Sequence, residues 1–462
     1  MGDPVRAVLG LDVGTTEAKA ICLSLDGRPI GLARAGYRTD TGPDGRAEQD
    51  PSDWWSALAA AVRQLDLSGV DVLAVCGVTQ GPTLVAADDA GMPVRPAVTW
   101  QDRRPGDTGF GLLSRMAWLS RGDPVAAMRA DWLMPAWDAA GLWLSGVAAT
   151  SLQPHETAPD AAALEDAGVL PSKVAEARPV GSVLGPLRPI VAAILGLRAG
   201  TPVVCGVNDG AASMLGAGLL RPGDAVDTGG ASGGIAIYAD REVRVEGLYC
   251  APALLPGLWA VGGAMAALGA SVDWLRTTVL GDRWTMEELF AEAAGVPAGA
   301  DGLVFLPYLA GERAPVFDEQ ARGAFAGLML AHGRGHLVRA VLEGAAYAMR
   351  QVAEPLAAAG APVGSLRLAG RATPGDLWGR IKADVLGVPT IVPAVGDTAV
   401  VGAAILAAVG TGAVLDLESG VAAMTGTARR IEADPTARGV YDAGFARYHA
   451  LYPALLDAGV GR

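Results

Sequence analysis

The chain has 462 residues, roughly three times the length of a typical single domain, so two or three domains are expected. Its 36 Lys and Arg against 49 Asp and Glu give a net charge of −13 without a basic cluster, which argues against a nucleic-acid partner. With 51% hydrophobic and 18% charged residues, the composition excludes disorder as the main state. The 63 glycines predict many tight turns or close backbone approaches.

Cysteine usage and the N-terminal residues indicate the compartment. The four cysteines lie far apart, which fits neither a zinc site nor a disulfide framework; they are Cys22, Cys76, Cys205 and Cys250. The first residues lack the basic and apolar regions of a signal peptide, so a cytoplasmic location is expected. The uncharged run 398–415 is rich in Ala and interrupted by Gly, which predicts a buried helix and no membrane partner.

The first elements read as strand, turn and strand. Residues 7–11 form an apolar run that reaches Asp12, Gly14 and two threonines, and alternating apolar residues follow up to Asp26-Gly27. Residues 29–35 supply a third strand, which predicts an antiparallel meander. A dinucleotide-binding loop would open a helix at this point, and the chain has no P-loop motif. Both of those nucleotide-binding classes are therefore unsupported.

The same local pattern occurs again at residues 224–238. Asp227 precedes a turn rich in Gly and hydroxyl residues, and the alternating run 235–238 follows it. Successive backbone N–H groups in such turns form a concavity that binds anions. One such turn is also compatible with an ordinary hairpin, but its recurrence at domain spacing predicts duplicated domains with two phosphate-binding turns.

Asp209 is an acidic residue at a predicted boundary between a strand and a helix. It follows the apolar run 202–205 and precedes the small-residue stretch 211–215, which places it where a strand ends and a helix begins. From spacing alone, an Asp at this position is expected to be the N-cap of that helix.

Six segments carry a resemblance to a known family. They are Asp12–Lys19, Gln49-Asp50-Pro51 with Trp54-Trp55, Trp100–Arg104, Asn208-Asp209-Gly210, Pro307–Pro315 and, most specific in residue type and spacing, Gly323–Glu343. On these segments the chain resembles the FGGY carbohydrate kinases from about Val8 to Gly410, with the xylulose kinase and glycerol kinase branches most similar.

The resemblance implies an α/β fold of two ribonuclease-H-like domains, the actin-like ATPase fold, with ATP and sugar in a central cleft. The N-terminal domain is expected over residues 1–219, with the sugar side, the first phosphate loop and the catalytic Asp. The C-terminal domain is expected over residues 220–462, with the nucleotide side and a closing helix. Dimers are common in that family, so the resemblance is also compatible with a homodimer.

The resemblance also implies roles for individual residues. Asp209 takes the position of the catalytic base rather than that of a helix cap, and Asp12 that of the Mg²⁺ ligand. The expected sugar partners are Gln80, Trp100, Asp102 and Asn208. The expected ATP contacts are Gly14, Thr15, Thr16 and Lys19 in the first loop, Gly230, Ala231 and Ser232 in the second, and Gly370 and Arg371 at the adenosine loop.

Several departures from the family pattern keep alternatives open. Ala231 replaces a hydroxyl residue, and Arg371 follows Gly370 where relatives carry three consecutive glycines before Ala. Gln80 stands where xylulose kinases carry a His, and the segment after Trp100 is shorter than usual. The prediction is an Mg²⁺- and ATP-dependent kinase acting on a small sugar or polyol, such as a xylulose-like ketopentose. The alternatives are a degenerate member that binds without transferring phosphate and, more distantly, an actin-like ATPase that does not act on sugar.

Overall fold

The computed structural model describes residues 3–106, 111–370 and 375–462. In chain order the strands are β1 Val5–Val13, β2 Glu17–Ser24, β3 Pro29–Gly36, β4 Asp40–Thr41, β5 Ala47–Gln49, β6 Val70–Thr79, β7 Leu84–Ala87, β8 Ala97–Val98, β9 Trp132–Pro135, β10 Thr150–Leu152, β11 Ala177–Pro179, β12 Val183–Pro186, β13 Pro202–Val204, β14 Asp224–Asp227, β15 Gly234–Ala239, β16 Tyr249–Pro252, β17 Trp259–Ala264, β18 Val304–Leu306, β19 Ala324–Ala326, β20 Ser365–Leu368, β21 Thr390–Pro393 and β22 Thr427–Ile431. The α-helices are α1 Pro51–Arg63, α2 Leu112–Gly122, α3 Pro124–Arg129, α4 Ala136–Ser145, α5 Ala161–Asp166, α6 Pro189–Leu195, α7 Asp209–Gly216, α8 Leu268–Trp274, α9 Met286–Ala294, α10 Arg334–Ala358, α11 Leu377–Leu386, α12 Thr398–Gly410, α13 Leu417–Met424 and α14 Arg438–Asp457.

The chain divides into two compact units. Unit 1 comprises Met1–Gly218, Leu254–Pro256 and Thr398–Gly426, and unit 2 comprises Leu219–Ala253, Gly257–Asp397 and Thr427–Arg462. The sequence predicts one C-terminal domain over residues 220–462, whereas α12 and α13 pack with unit 1. The packing of α12 and α13 with the N-terminal part of the chain makes the units discontinuous in sequence. The domain boundary at residue 219 stays a prediction.

Unit 1 contains a six-stranded sheet with the order β12-β13-β6-β1-β2-β3. β1 pairs antiparallel with β2, and β2 pairs antiparallel with β3, which confirms the predicted meander. Gly27 lies in the turn between β2 and β3 with a φ of 81°, a conformation that glycine adopts without strain. β1 also pairs in parallel with β6, so the carboxyl ends of these two central strands lie at the same edge of the sheet. A second sheet of unit 1 has the order β4-β5-β8-β7-β9.

Unit 2 contains a seven-stranded sheet with the order β16-β17-β15-β14-β20-β21-β22. β14 pairs antiparallel with β15 and in parallel with β20, as β1 does with β2 and β6. The recurrence of the strand, turn and strand pattern, predicted from residues 224–238, is thus confirmed. Each unit presents a turn rich in Gly at the carboxyl end of its first strand.

The helix α12 packs closely against β1 and α7 within unit 1. A Cβ atom on Gly10 would lie 2.2 Å from the carbonyl oxygen of Val400, and one on Gly216 would lie 1.9 Å from that of Thr398. A Cβ atom on Gly402 would lie 1.9 Å from the carbonyl oxygen of Ala212. Because no side chain fits at these three glycines, the backbones of β1, α7 and α12 approach one another directly.

Two further predictions concern the helices near the C-terminus. α12 lies within the run predicted as a buried helix, and most of its residues are buried, which confirms that prediction. α14 is the predicted closing helix; it contains Pro453 and buries Tyr441, Phe445 and Tyr448. In the described parts of the chain, no helix combines the length and the apolar character needed to cross a membrane.

Three tryptophans of unit 1, Trp54, Trp55 and Trp143, are packed in its core. Trp54 and Trp55 on α1 are buried, and their rings meet edge to face at a centroid distance of 6.0 Å. Trp55 also stacks on Trp143 of α4 at 4.8 Å. These rings therefore fix α1 and α4 in place against the six-stranded sheet.

Asp138 on α4 is a buried carboxylate whose titration affects stability. The backbone N–H and hydroxyl groups of Ser151 both donate to it, the hydroxyl at an Oγ–Oδ1 distance of 2.5 Å. Burial nevertheless raises its pKa from 3.8 to about 7. Because the unfolded chain releases this proton at lower pH than the native protein does, the native state loses stability relative to the unfolded chain as the pH rises from about 4 to about 7.

Asp138→Asn removes this ionisation while nearly preserving the shape of the side chain. We expect the variant to gain stability relative to the parent protein on going from pH 4.5 to pH 8, by on the order of 2 kcal/mol. Denaturant unfolding of both proteins at the two pH values measures the difference. If the free energies of unfolding of variant and parent differ by the same amount at both pH values, the raised pKa of Asp138 is contradicted.

Candidate active site

The first Gly-rich turn, residues 14–16, connects β1 to β2. The backbone N–H of Gly14 donates to the carbonyl oxygen of Glu17 at 3.1 Å, and the hydroxyl of Tyr37 donates to the carbonyl oxygen of Gly14. The indole Nε1 of Trp100 donates to the Thr15 hydroxyl at 3.2 Å. The predicted loop residues Gly14, Thr15 and Thr16 therefore form a turn held from both sides.

The structure brings together three of the predicted functional residues, Asp12, Lys19 and Asp209. Asp12 lies opposite Lys19 in the β1–β2 register, and the Lys19 Nζ lies 3.2 Å from the Asp12 Oδ2. Asp209 is the first residue of α7, and the preceding Asn208 bridges in parallel to Thr79 at the end of β6. Since β6 is the neighbour of β1, both carboxylates lie at the same edge of the sheet.

The cap of α7 is Asn208, which corrects the expectation from spacing alone that Asp209 caps the helix. The Asn208 Oδ1 accepts a hydrogen bond from the backbone N–H of Ala211 at 2.9 Å. Asn satisfies the free N–H groups of a helix start as well as Asp does. The carboxylate of Asp209 is therefore not needed for capping.

The environment of Asp209 favours the protonated carboxyl. Burial, and then repulsion from the nearby Asp12, raise its pKa from 3.8 to about 7. The backbone N–H of Gly210 and the charge of Lys19 oppose the shift. Burial and the charges of the same two carboxylates also raise the pKa of Tyr37, which stays a neutral donor. A carboxyl with a pKa near neutrality can take up and release a proton under ordinary conditions.

Gln80 and Trp100 lie in one hydrogen-bonded network with the first turn. The Gln80 Nε2 donates to the Gln49 Oε1 at 2.6 Å, and its backbone N–H donates to the carbonyl oxygen of Val13 at 2.8 Å. The Gln49 Nε2 in turn donates to the carbonyl oxygen of Thr15 at 2.8 Å. Two of the predicted sugar partners are thus linked to the predicted phosphate turn.

Asp102, another predicted sugar partner, is engaged in contacts within the protein. It is 3% exposed, and its Oδ2 accepts from the backbone N–H of Ala47 at 3.0 Å. The Arg104 Nη2 lies 2.6 Å from the same oxygen. These contacts give Asp102 a structural role in joining β5 to the loop after β8, and its contact with a sugar stays a prediction.

The second Gly-rich turn follows β14 in unit 2. Gly229 and Gly230 have φ angles of 62° and 78°, and the Asp227 Oδ1 accepts from the N–H of Gly229 at 2.9 Å. The Asp227 Oδ2 lies 2.5 Å from the buried Nζ of Lys382. At the start of α8, the backbone N–H of Ala270 donates to the carbonyl oxygen of Ala231, and that of Leu268 donates to the carbonyl oxygen of Ser232. A buried ion pair therefore anchors this turn.

Gly370 of the predicted adenosine loop lies beside the second turn. A Cβ atom on Gly229 would lie 2.4 Å from the carbonyl oxygen of Ala369, and the N–H of Gly370 donates to the carbonyl oxygen of Gly396 at 2.8 Å. A Cβ atom on Gly370 would lie 3.6 Å from the backbone N of Gly230, so the structure brings these two predicted nucleotide contacts together within unit 2. Arg371 lies outside the described residues.

Sequence reasoning missed three side chains that hold these turns in place. Gln49 entered only as part of a motif, Tyr37 gave no signal in the sequence, and Lys382 lies on an amphipathic helix where one Lys is unremarkable. Asp227 was the one sequence signal that pointed to such a partner, since it precedes the second turn as Asp12 precedes the first. A buried Asp next to a Gly-rich turn requires a cation or several N–H donors, and Lys382 supplies the cation.

The family comparison decides the class of protein. The N-terminal domain model of the FGGY family of carbohydrate kinases matches residues 7–109, and its C-terminal domain model matches residues 234–411. The chain belongs to the FGGY family of carbohydrate kinases. It is therefore a carbohydrate kinase, and its α/β fold is that of FGGY kinases.

Relatives with three different substrates in their names are similar over most of this FGGY kinase. The gluconokinase of Bacillus licheniformis is 28% identical, with 88% of each chain covered. The glycerol kinase of Thermus brockianus is 31% identical over 88% of this chain and 91% of its own. The crystal structure of xylulose kinase from Rhodospirillum rubrum has a TM-score of 0.84 and 32% identity, and covers 98% of this chain and 99% of its own.

Proposed function

We propose that the protein transfers the γ-phosphoryl group of ATP to a hydroxyl group of a small sugar or polyol, with Asp209 as the general base. The observation that carries the proposal is the position of Asp209 at the start of α7, beside Asp12 and Lys19, with its pKa raised to about 7. A xylulose-like ketopentose is the expected type of substrate.

The proposed reaction needs little covalent chemistry from the protein. The transition state of phosphoryl transfer is loose, so catalysis rests on positioning, on charge neutralisation and on removal of the proton of the attacking hydroxyl. Asp209 accepts that proton as the oxygen of the sugar bonds to phosphorus and the bond to ADP breaks. A base whose pKa lies near the working pH suits this transfer.

Asp12 and Asp209 fit the binding of Mg²⁺. Mg²⁺ prefers oxygen ligands and is usually held by one or two carboxylates together with phosphate oxygens, and these two carboxylates lie close enough to repel each other. We propose Asp12 as the residue that holds the ion. When bound, Mg²⁺ neutralises charge on the phosphates. Lys19 keeps Asp12 in place through their 3.2 Å contact.

The two Gly-rich turns are the proposed phosphate contacts of their units. Gly14, Thr15 and Thr16 offer N–H and hydroxyl donors in unit 1, and Gly230, Ala231 and Ser232 offer donors in unit 2. Gly370, and Arg371 next to it, are the proposed adenosine contacts. Gln80, Trp100, Asp102 and Asn208 are the proposed sugar partners, since a polyol needs paired donors and acceptors. A cytoplasmic location and a homodimer stay predictions.

A substrate panel tests the proposal. ADP release is measured with Mg²⁺ and ATP in the presence of D-xylulose, xylitol, D-arabitol, glycerol, D-fructose or D-gluconate. We expect one of these compounds to raise ADP release well above the rate in water alone. Nucleotide binding without stimulated release would instead support a second candidate, a binding protein that transfers no phosphate. Ala231 and the loss of two of the three usual adenosine-loop glycines favour that candidate.

A further inference from the structure

The side-chain amide of Gln49, at the end of β5, uses all of its hydrogen-bonding capacity. Its Oε1 accepts from the indole Nε1 of Trp54 at 2.9 Å and from the Nε2 of Gln80 at 2.6 Å. Its Nε2 donates to the carbonyl oxygen of Thr15 at 2.8 Å and to the hydroxyl of Thr39 at 2.7 Å. An amide side chain has two donor hydrogens and two acceptor lone pairs, so none remains.

The direction of each of these bonds is fixed by the chemistry of the partners. An indole N–H can only donate, and a backbone carbonyl can only accept. The oxygen of Gln49 must therefore face Trp54, and its nitrogen must face Thr15. Because that oxygen also faces Gln80, Gln80 can contribute only its NH₂ group to the contact. The amide of Gln80 is thus held in one of its two orientations.

This orientation turns the Oε1 of Gln80 away from Gln49. Gln80 is 1% exposed, and its Oε1 has no hydrogen-bond partner among residues 3–106, 111–370 and 375–462. A buried carbonyl oxygen without a donor costs free energy, so nearly all such atoms in proteins have a partner. The oxygen is therefore ready to accept a hydrogen bond from a ligand.

Gln80 lies in the part of unit 1 that carries the proposed base. The preceding Thr79 forms a bridge to Asn208, the residue before Asp209. The next residue, Gly81, leaves no room for a side chain, since a Cβ atom there would lie 2.6 Å from the ring of Trp137 and 3.3 Å from the Cβ of Asn208. A ligand next to Asp209 is therefore close to the end of β6, where Gln80 follows.

We propose that Trp54 and Gln49 are positioning residues that hold Gln80 as a hydrogen-bond acceptor for a hydroxyl group of the sugar or polyol. This inference rests on the proposed function and assigns which group of the substrate Gln80 binds. A hydroxyl group can donate to the Gln80 Oε1, whereas a carboxylate cannot.

Binding without nucleotide tests this inference separately from catalysis. Titration calorimetry of the full chain measures the affinities of D-xylulose, xylitol, glycerol and D-gluconate. We expect at least one of them to bind, since each carries hydroxyl groups that can donate to the Gln80 Oε1. The absence of binding by all four overturns the inference. ADP release decides the kinase proposal independently in either case.

The positioning role is tested by a pair of matched variants on α1. Trp54→Phe removes one of the two contacts that fix the orientation of Gln49, whereas Trp55→Phe removes an Nε1 that has no partner in the described part of the chain. We expect Trp54→Phe to weaken binding of the best compound about fivefold and to raise its KM equally, with little change in kcat. Trp55→Phe is expected to leave both within about twofold. Equal effects of the two variants contradict the positioning role.

Gln80→Met keeps the test decisive if Trp54→Phe does not fold. Methionine has a similar length and lacks the carbonyl oxygen, so the affinity for the best compound should fall about tenfold. An affinity equal to that of the parent protein overturns the role of the Gln80 oxygen as the acceptor.

Discussion

Asp209→Asn is expected to lower kcat for phosphoryl transfer by about 10²- to 10⁴-fold, because Asn has the shape of Asp and cannot accept a proton. A loss of this size corresponds to about 3–5 kcal/mol of activation free energy. Asn208 caps α7 without help from residue 209, so the helix and the fold should be retained. Nucleotide binding, measured by calorimetry with Mg²⁺ present, should change little. ADP release with the best substrate gives kcat.

Asp138→Asn is the matched control for this experiment. Asp138 is also an Asp of unit 1 whose pKa is raised to about 7, but it bonds to Ser151 within the core. Its replacement should therefore leave kcat unchanged. A kcat of Asp209→Asn that remains above about a tenth of the parent value would show that Asp209 is not the base.

Gly216→Ala is expected to cause the largest loss of stability, about 3 kcal/mol or more. The added Cβ would lie 1.9 Å from the carbonyl oxygen of Thr398 and 2.5 Å from the backbone N of Gly402. Both neighbours are backbone atoms of α12, so neither can rotate away, and the two helices must separate. Denaturant unfolding monitored by circular dichroism measures the loss.

Gly122→Ala provides the control for this substitution within the same unit. Gly122 is the last residue of α2, as Gly216 is of α7, and the nearest atom to its added Cβ would be 3.9 Å away. Alanine is intrinsically favourable in helices, so this variant should be as stable as the parent or slightly more stable, by up to about 1 kcal/mol. Equal destabilisation by both substitutions would contradict the close contact of α7 with α12.

Local patterns predicted the strands around both Gly-rich turns because their signals are short in range. Alternation over residues 18–25 and the Asp26-Gly27 turn are sufficient to specify a meander. The choice between Asn208 and Asp209 as helix cap was not predictable, since both residue types cap well and the tertiary position of the chain decides. The proximity of Asp12 to Asp209 depends on the parallel pairing of β1 with β6, which periodicity alone does not specify.

Contacts between distant segments were also beyond the sequence patterns. The uncharged, Ala-rich composition of α12 predicted burial, but a helix that is apolar on every side gives no indication of its partner. Likewise, Gln49 has four hydrogen-bond partners, and three of them come from segments outside its own strand and the adjacent helix. Such networks are specified by the assembled fold rather than by residue type.

The late position of α12 in the sequence has a consequence for biosynthesis. Domains generally fold as units, beginning with the N-terminal one while the ribosome is still translating. Here the surface of β1 that carries Gly10 stays uncovered until the segment Thr398–Gly426 has emerged. The nascent N-terminal part therefore exposes apolar surface through most of translation, and we expect it to depend on chaperones more than a unit that is contiguous in sequence.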